Sequence, residues 1–327
     1  MKSLKYYLRL SLILFGFFFS LSSCRDIDEF IQNEKSNIII TDRNKVLNSF
    51  NELKANSAIF QFSNDKGFTY YFNDGSFISF KPNSFVLNGN QLGSKTLKVV
   101  VERVLNKKEM LENSVGTNSG DEVLISAGMF NVRAFYENKT LELANGMDYQ
   151  IRLVYEKPFT SSMELFYGEE KSSGLNWVEA DGNPNVQNNV SKVRWEDSSR
   201  VYIGIECFPK RLNWVNFDYF AKFTTIERAE PCIQPIFPNR GDSITLQVFC
   251  VFKSLNSVIT PCCSGSGIEV CFGPLPVGEE VRYIVIGKGK HDYYLGSDEK
   301  TIISNDKFVI NTEVKSLQEI KEFLSKL

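Results

Sequence analysis

Seven cysteines, one histidine and three tryptophans are the residues whose types invite chemistry. Cys207, Cys232, Cys250, Cys262, Cys263 and Cys271 crowd into one stretch of the C-terminal half, and Cys24 stands alone near the N-terminus. An even cluster of six suits disulfides in an oxidising compartment; buried free thiols are the other reading. Cys262 and Cys263 are adjacent and are expected to take different partners. Their spacing to Cys271 is unlike a zinc knuckle, and one histidine cannot complete a mixed cysteine–histidine zinc site, so no metal is expected. His291 lies in Gly289-Lys290-His291-Asp292-Tyr293-Tyr294, which reads as a loop. Ser264-Gly265-Ser266-Gly267 lacks the outer spacing of a nucleophile elbow. No phosphate loop, dinucleotide fingerprint, paired-histidine metal motif or EF-hand occurs in the sequence, so no catalytic residue and no cofactor is assigned. Trp177, Trp195 and Trp214 carry two readings. Exposed on a sheet, their rings would stack on a glycan; buried, they anchor a core.

Composition narrows the partners. Thirty-seven basic residues against 39 acidic ones give a formal charge of −2, without the basic excess that a nucleic-acid binder needs. Hydrophobic residues at 43% and charged residues at 23% are globular composition, and 27 Phe with 13 Tyr favour strands. A length of 327 residues suggests more than one domain.

Residues 1–23 read as a signal peptide. Lys2, Lys5 and Arg9 form its positive end, and the apolar run from Leu10 to Leu21 is too short to span a bilayer. Leu21-Ser22-Ser23-Cys24 resembles the bacterial lipobox. That resemblance implies cleavage before Cys24, acylation of its sulfur and a membrane anchor made of acyl chains rather than a helix. Position 25 is Arg, not the Asp associated with inner-membrane retention, which implies the outer membrane. Asp26, Asp28 and Glu29 resemble the acidic surface-export signal of Bacteroidetes lipoproteins, so the cell surface and the periplasmic face both stand open.

The elements that would position these residues are mainly strands. Thr41 or Asp42 can cap a short helix over residues 41–54, with Val46, Leu47, Phe50 and Leu53 at helical spacing. The period then changes to two. Residues 68–72 and 76–80 flank Asn73-Asp74-Gly75, a hairpin signal. Further strands are expected at 97–105, 129–136, 141–143, 148–155, 200–208, 243–252, 268–272, 280–287 and 308–312. Ser316 and Glu319 make a capping box for a terminal helix with Leu317, Ile320, Phe323, Leu324 and Leu327 on one face. The expected architecture is all-β: two β-sandwich domains joined by a long irregular segment, with a short N-terminal helix and one C-terminal helix. The expected boundaries are 24–54 for lipidated cysteine, tether and helix, 55–157 for the first sandwich, 158–228 for a connecting segment with strands, and 229–327 for the second sandwich and terminal helix.

Within 58–156, Phe80-Lys81-Pro82-Asn83-Ser84-Phe85, the strand at 97–105, Met110, Thr117-Asn118-Ser119-Gly120 and the run from Ser126 to Val132 follow one another in an order similar to a β-sandwich module of Bacteroidetes surface proteins. More distantly it resembles the module of ankyrins and netrin receptors. Residues 212–220 resemble a stretch that follows that module, with Asn213, Phe217 and Tyr219 departing from its glycine, cysteine and arginine. Leu275-Pro276-Val277-Gly278 resembles a turn of carboxypeptidase-regulatory sandwiches. These resemblances imply a non-enzymatic, lipid-anchored envelope protein acting as an interaction or structural component of an outer-membrane assembly. A surface glycan-binding lipoprotein is the alternative, and a hydrolase using carboxylates or His291 is the third reading.

Overall fold

The computed structural model describes residues 38–40, 42–54, 57–157, 163–171, 174–180, 190–196, 200–239, 243–264, 268–303 and 306–327. Residues 1–23, expected to be a signal peptide, Cys24 and the polar run at 181–189 lie outside the described residues. The described residues of 39–238 and 244–327 belong to one compact unit, which is the subject below.

The N-terminal part opens with α1 (Arg43–Ser49), capped by the Asp42 carboxylate accepting from Lys45 N–H at 3.0 Å. It continues with β1 (Ala58–Ser63), β2 (Phe68–Tyr71), β3 (Phe77–Phe80), β4 (Thr96–Val104) and a helix the sequence did not announce, α2 (Lys107–Glu112). Then come β5 (Glu122–Tyr136), β6 (Tyr149–Val154), β7 (Glu164–Lys171), β8 (Gly174–Glu179), β9 (Ser191–Glu196), β10 (Val201–Cys207) and β11 (Asn213–Phe220). One large sheet runs β8-β7-β11-β5-β4-β1, and a second runs β9-β10-β6-β3-β2, all antiparallel. The hairpin of β2 and β3 turns at Gly75, whose φ of +90° suits glycine.

The expected connecting segment is corrected here. Residues 164–220 supply three strands to the large sheet and two to its partner, so the first sandwich closes at residue 220 rather than 157. The physical reason is pairing. Without β7 and β11, the long strand β5 would leave the backbone groups along one edge unpaired.

The C-terminal part contains β12 (Cys232–Ile236), β13 (Ser243–Phe252), β14 (Cys263–Ser264), β15 (Val270–Cys271), β16 (Glu280–Lys288), β17 (Tyr293–Thr301), β18 (Lys307–Asn311), β19 (Glu313–Lys315) and α3 (Leu317–Leu324). One sheet carries the order β13-β16-β17-β19; a smaller one runs β14-β15-β12-β18, with β12 and β18 parallel. Helix α3 begins with the expected capping box of Ser316 and Glu319.

Three cores hold the layers together. Phe60, Ile78, Phe80, Val99, Phe130 and Tyr149 belong to the core between the two N-terminal sheets. Val248, Cys250, Phe252, Tyr283 and Val285 belong to the core of the C-terminal sheets. Between them lies a third core, where Met129, Phe166, Trp177 and Trp214 meet Phe249, Val251, Ile284, Ile286 and α3 residues Ile320 and Leu324. Alternation along a strand makes this possible: Val248, Cys250 and Phe252 belong to one core, and Phe249 and Val251 to the next. The two sandwiches are therefore fused through a shared core, and the terminal helix helps to seal it.

Candidate functional site

The outer face of the sheet β9-β10-β6-β3-β2 carries aromatic and hydrogen-bonding side chains together. Alternation places Ile78, Phe80, Tyr149, Ile151 and Leu153 inward, and turns their neighbours Phe77, Gln150 and Arg152 outward. Trp195 is directly opposite Tyr202 across β9 and β10, and their rings stack at 5.6 Å. Two glycines make room for this pair. A Cβ at Gly204 would come within 2.9 Å of the Trp195 ring, and one at Gly75 within 2.1 Å of the Tyr202 ring. Trp195 Nε1–H donates to the Gly75 carbonyl at 3.2 Å, which fixes the indole over the sheet. The Arg152 guanidinium lies 5.8 Å from the Trp195 ring and 5.3 Å from the Phe77 ring, and its Nε donates to Glu206 at 2.5 Å. Gln150 donates to the same carboxylate. Tyr71, 64% exposed, packs against Phe77 at 5.4 Å and extends the face to β2. Trp195 and Tyr202 are half-buried, so each keeps surface in solvent.

A cleft of about 590 Å³ is lined by residues of β5, the segment 140–143, β7 and the segment 210–214 that leads into β11. Tyr167, Leu141 and Trp214 are its buried lining, and Lys210, Arg211, Glu142 and Glu169 are exposed charges around it. The Arg211 guanidinium lies 5.0 Å from the Tyr167 ring, whose hydroxyl accepts from Lys210 N–H at 2.8 Å. Asn213 enters β11 with φ +69°, a left-handed conformation that asparagine tolerates better than most residues. It occupies the position where the resembling stretch carries glycine.

The structure separates the three tryptophans. Trp177 is fully buried, with Nε1–H donating to the Gly116 carbonyl at 2.7 Å, and Trp214 is 6% exposed and edge-on to it. Trp177 exposes no surface to a ligand and Trp214 only a sliver toward the cleft, so neither stands exposed on a sheet face as the stacking role would need; both anchor the shared core. Trp195 alone keeps an open position.

The cysteines also divide. Cys232 and Cys271 are disulfide-bonded, and Cys262 is in a disulfide as well. Cys207 and Cys250 are free and buried, which corrects the disulfide expectation for them; burial pushes both thiols well up. Each sits in a different apolar core, away from the other. The side chain of Cys263 and Cys24, the expected lipid-attachment residue, lie outside the described residues. His291 is exposed on the turn in which Gly289 N–H donates to the Asp292 carbonyl.

One buried group escaped the sequence reading. Asp218 is fully buried, and burial raises its carboxyl to about 8 although the Ser126 hydroxyl and the Asn216 amide beside it oppose the rise. Asn216 donates to its Oδ2 and Ser126 Oγ donates to Asn216 Oδ1 at 2.8 Å, but Oδ1 of Asp218 has no partner among the described residues. The signal lay in Asn216 and Asp218 breaking an otherwise apolar and aromatic strand from Trp214 to Phe220.

No family model matches the chain, and no curated protein matches its sequence. Among the described residues, no helix is long and apolar enough to cross a membrane.

Proposed function

We propose that this chain is a non-catalytic binding protein of the cell envelope, held to the outer membrane by acyl chains on Cys24, and that its ligand is a glycan. The observation that carries the reading is the outward face of β9-β10-β6-β3-β2. Flat aromatic rings there sit beside planar hydrogen-bonding groups, Arg152, Gln150 and Glu206. Sugar rings present C–H faces and hydroxyl edges. An aromatic with one open face meets the first and a carboxylate or guanidinium meets the second. The lipobox-like Leu21-Ser22-Ser23-Cys24 supplies the anchor in this reading.

Affinity electrophoresis of the purified chain through gels containing soluble envelope and plant polysaccharides tests it. At least one polysaccharide should retard the protein, and Trp195→Ala should weaken that retardation about tenfold, the scale of one lost stacking contact. Equal retardation of both proteins refutes the assignment of the face. Cys24→Ala should take up no labelled palmitate and leave the membrane fraction; a variant still bound to membranes refutes the anchor. An alternative role as a structural part of an outer-membrane assembly predicts co-purifying envelope proteins whose recovery ignores Trp195.

A further inference from the structure

The large sheet is interrupted beside β5. Strand β11 starts at Asn213, opposite Val132, while β5 runs on to Tyr136. On the other side β7, whose Tyr167 is opposite Val215, runs on to Lys171. The φ of +69° at Asn213 breaks the extended backbone, so residues 210–212 leave the line of β11. Residues 139–141 take up the edge of β5 instead. Lys139 and Thr140 are opposite Tyr136 and Phe135, and Leu141 N–H donates to the Ala134 carbonyl at 2.9 Å. Where the two segments part, the cleft of about 590 Å³ opens, within the range of about 300–1,000 Å³ usual for small ligands. Leu141, Tyr167 and Trp214 give it an apolar lining.

The charged groups of this cleft are held in place yet unpaired. Two buried tyrosines pin the chain at Lys210 and Arg211: Lys210 N–H donates to the Tyr167 hydroxyl at 2.8 Å, and the Tyr149 hydroxyl donates to the Arg211 carbonyl at 3.0 Å. The Arg211 guanidinium lies 5.0 Å from the Tyr167 ring, a contact that restrains its planar fork of N–H donors. Among the described residues neither Lys210 nor Arg211 pairs with a carboxylate, and neither Glu142 nor Glu169 pairs with a base. The third cation, Arg133, donates through Nη2 to Glu102 at 2.7 Å, but its Nε is buried with no partner among the described residues. A polyanion would be opposed by Glu142 and Glu169, and a polyamine by Lys210 and Arg211. A ligand that carries one charge of each sign meets both sets.

We infer that the cleft binds a short peptide with free ends. Arg211 and Lys210 take its terminal carboxylate, the guanidinium through a paired donor fork. Glu142 and Glu169 take its terminal ammonium, and a side chain of the peptide lies against the apolar lining. This site is separate from the aromatic face of β9-β10-β6-β3-β2 and does not rest on the glycan reading.

The test is equilibrium dialysis of the full chain against an equimolar synthetic library of tripeptides with free ends, read by mass spectrometry. Retained tripeptides are then titrated singly, beside their C-terminal amides and their N-acetyl forms. Free-ended tripeptides should be retained, and amidation should weaken binding about tenfold, the scale of one charge-assisted contact at an exposed arginine. Arg211→Ala should weaken the free-ended form by a similar factor and erase the difference between acid and amide. Replacing Glu142 and Glu169 together by Gln should erase the difference between free and acetylated forms. All three side chains are exposed, so these variants leave the cores intact. A wild-type chain that retains no tripeptide overturns the proposal. So does equal binding of the free, amidated and acetylated forms, or an Arg211→Ala variant that still prefers the acid to the amide.

Discussion

Replacing Asp218 by asparagine probes a buried carboxyl with one unpartnered oxygen. Its carboxyl is fully buried and raised from 3.8 to about 8 by loss of solvation. In the unfolded chain the same carboxyl ionises at its ordinary value. Between those values the unfolded state has released a proton that the folded state retains. Stability therefore falls as pH rises from about 4 to about 8, by up to about 1.4 kcal/mol per pH unit. Below about pH 4 both states are protonated and the group contributes nothing. At pH 7 the accumulated cost is about 4 kcal/mol. Asparagine keeps the shape and can still accept from Asn216, but it places an amide where Oδ1 now has no partner, which returns about 1–2 kcal/mol. Asp218→Asn should therefore be more stable than wild type by about 2–3 kcal/mol at pH 7, with the advantage gone by pH 4.5. Urea unfolding followed by tryptophan fluorescence at pH 4.5, 6 and 7.5 reads this directly, with the difference between the two proteins cancelling every other titrating group. Parallel stability curves for the two proteins across that range refute the reasoning.

Three further outcomes follow from packing. Trp177→Ala removes the largest fully buried side chain from the shared core and leaves the Gly116 carbonyl unpaired, so it should lower stability by about 3–5 kcal/mol in the same urea assay. Gly204→Ala would place a methyl carbon 2.0 Å from the Leu153 carbonyl oxygen and 2.9 Å from the Trp195 ring, so a loss of about 3 kcal/mol is expected, together with a change in the emission of Trp195. Cys207 and Cys250, buried with thiols held well up, should resist a thiol reagent in the native protein and react only with denaturant, as peptide mapping of the alkylated residues will report.

Local structure was legible because local rules wrote it. Asp42 caps α1, Gly75 turns the first hairpin, and Ser316 with Glu319 starts α3, each through a contact a few residues away in sequence. The stretch after residue 157 was misread because its Pro, Gly and polar residues mask strands that are completed by pairing with β5 and β6, far back in the chain. The cleft escaped for the same reason: Arg133, Glu142, Glu169 and Arg211 come from separate segments and share no spacing. Asp218 could have been suspected from its place in an apolar strand, but only burial on all sides gives it a raised carboxyl.

The sequence by itself determined that the chain is all-β with a helix near each end, that its six C-terminal-half cysteines cluster, and that it has one histidine. Tertiary structure decided what those residues can do. From Val248 to Phe252 every residue of β13 is apolar, so composition along that run cannot say which core each belongs to, and only the stacking of sheets assigns Val248 to one and Phe249 to another. The same stacking sorted three identical tryptophans. Trp177 and Trp214 lie where a second layer covers the sheet, while Trp195 lies on an outer layer and is only half-buried. A side chain carries its chemistry in its type, but whether that chemistry meets water, a ligand or only its neighbours depends on which layers of the fold cover it.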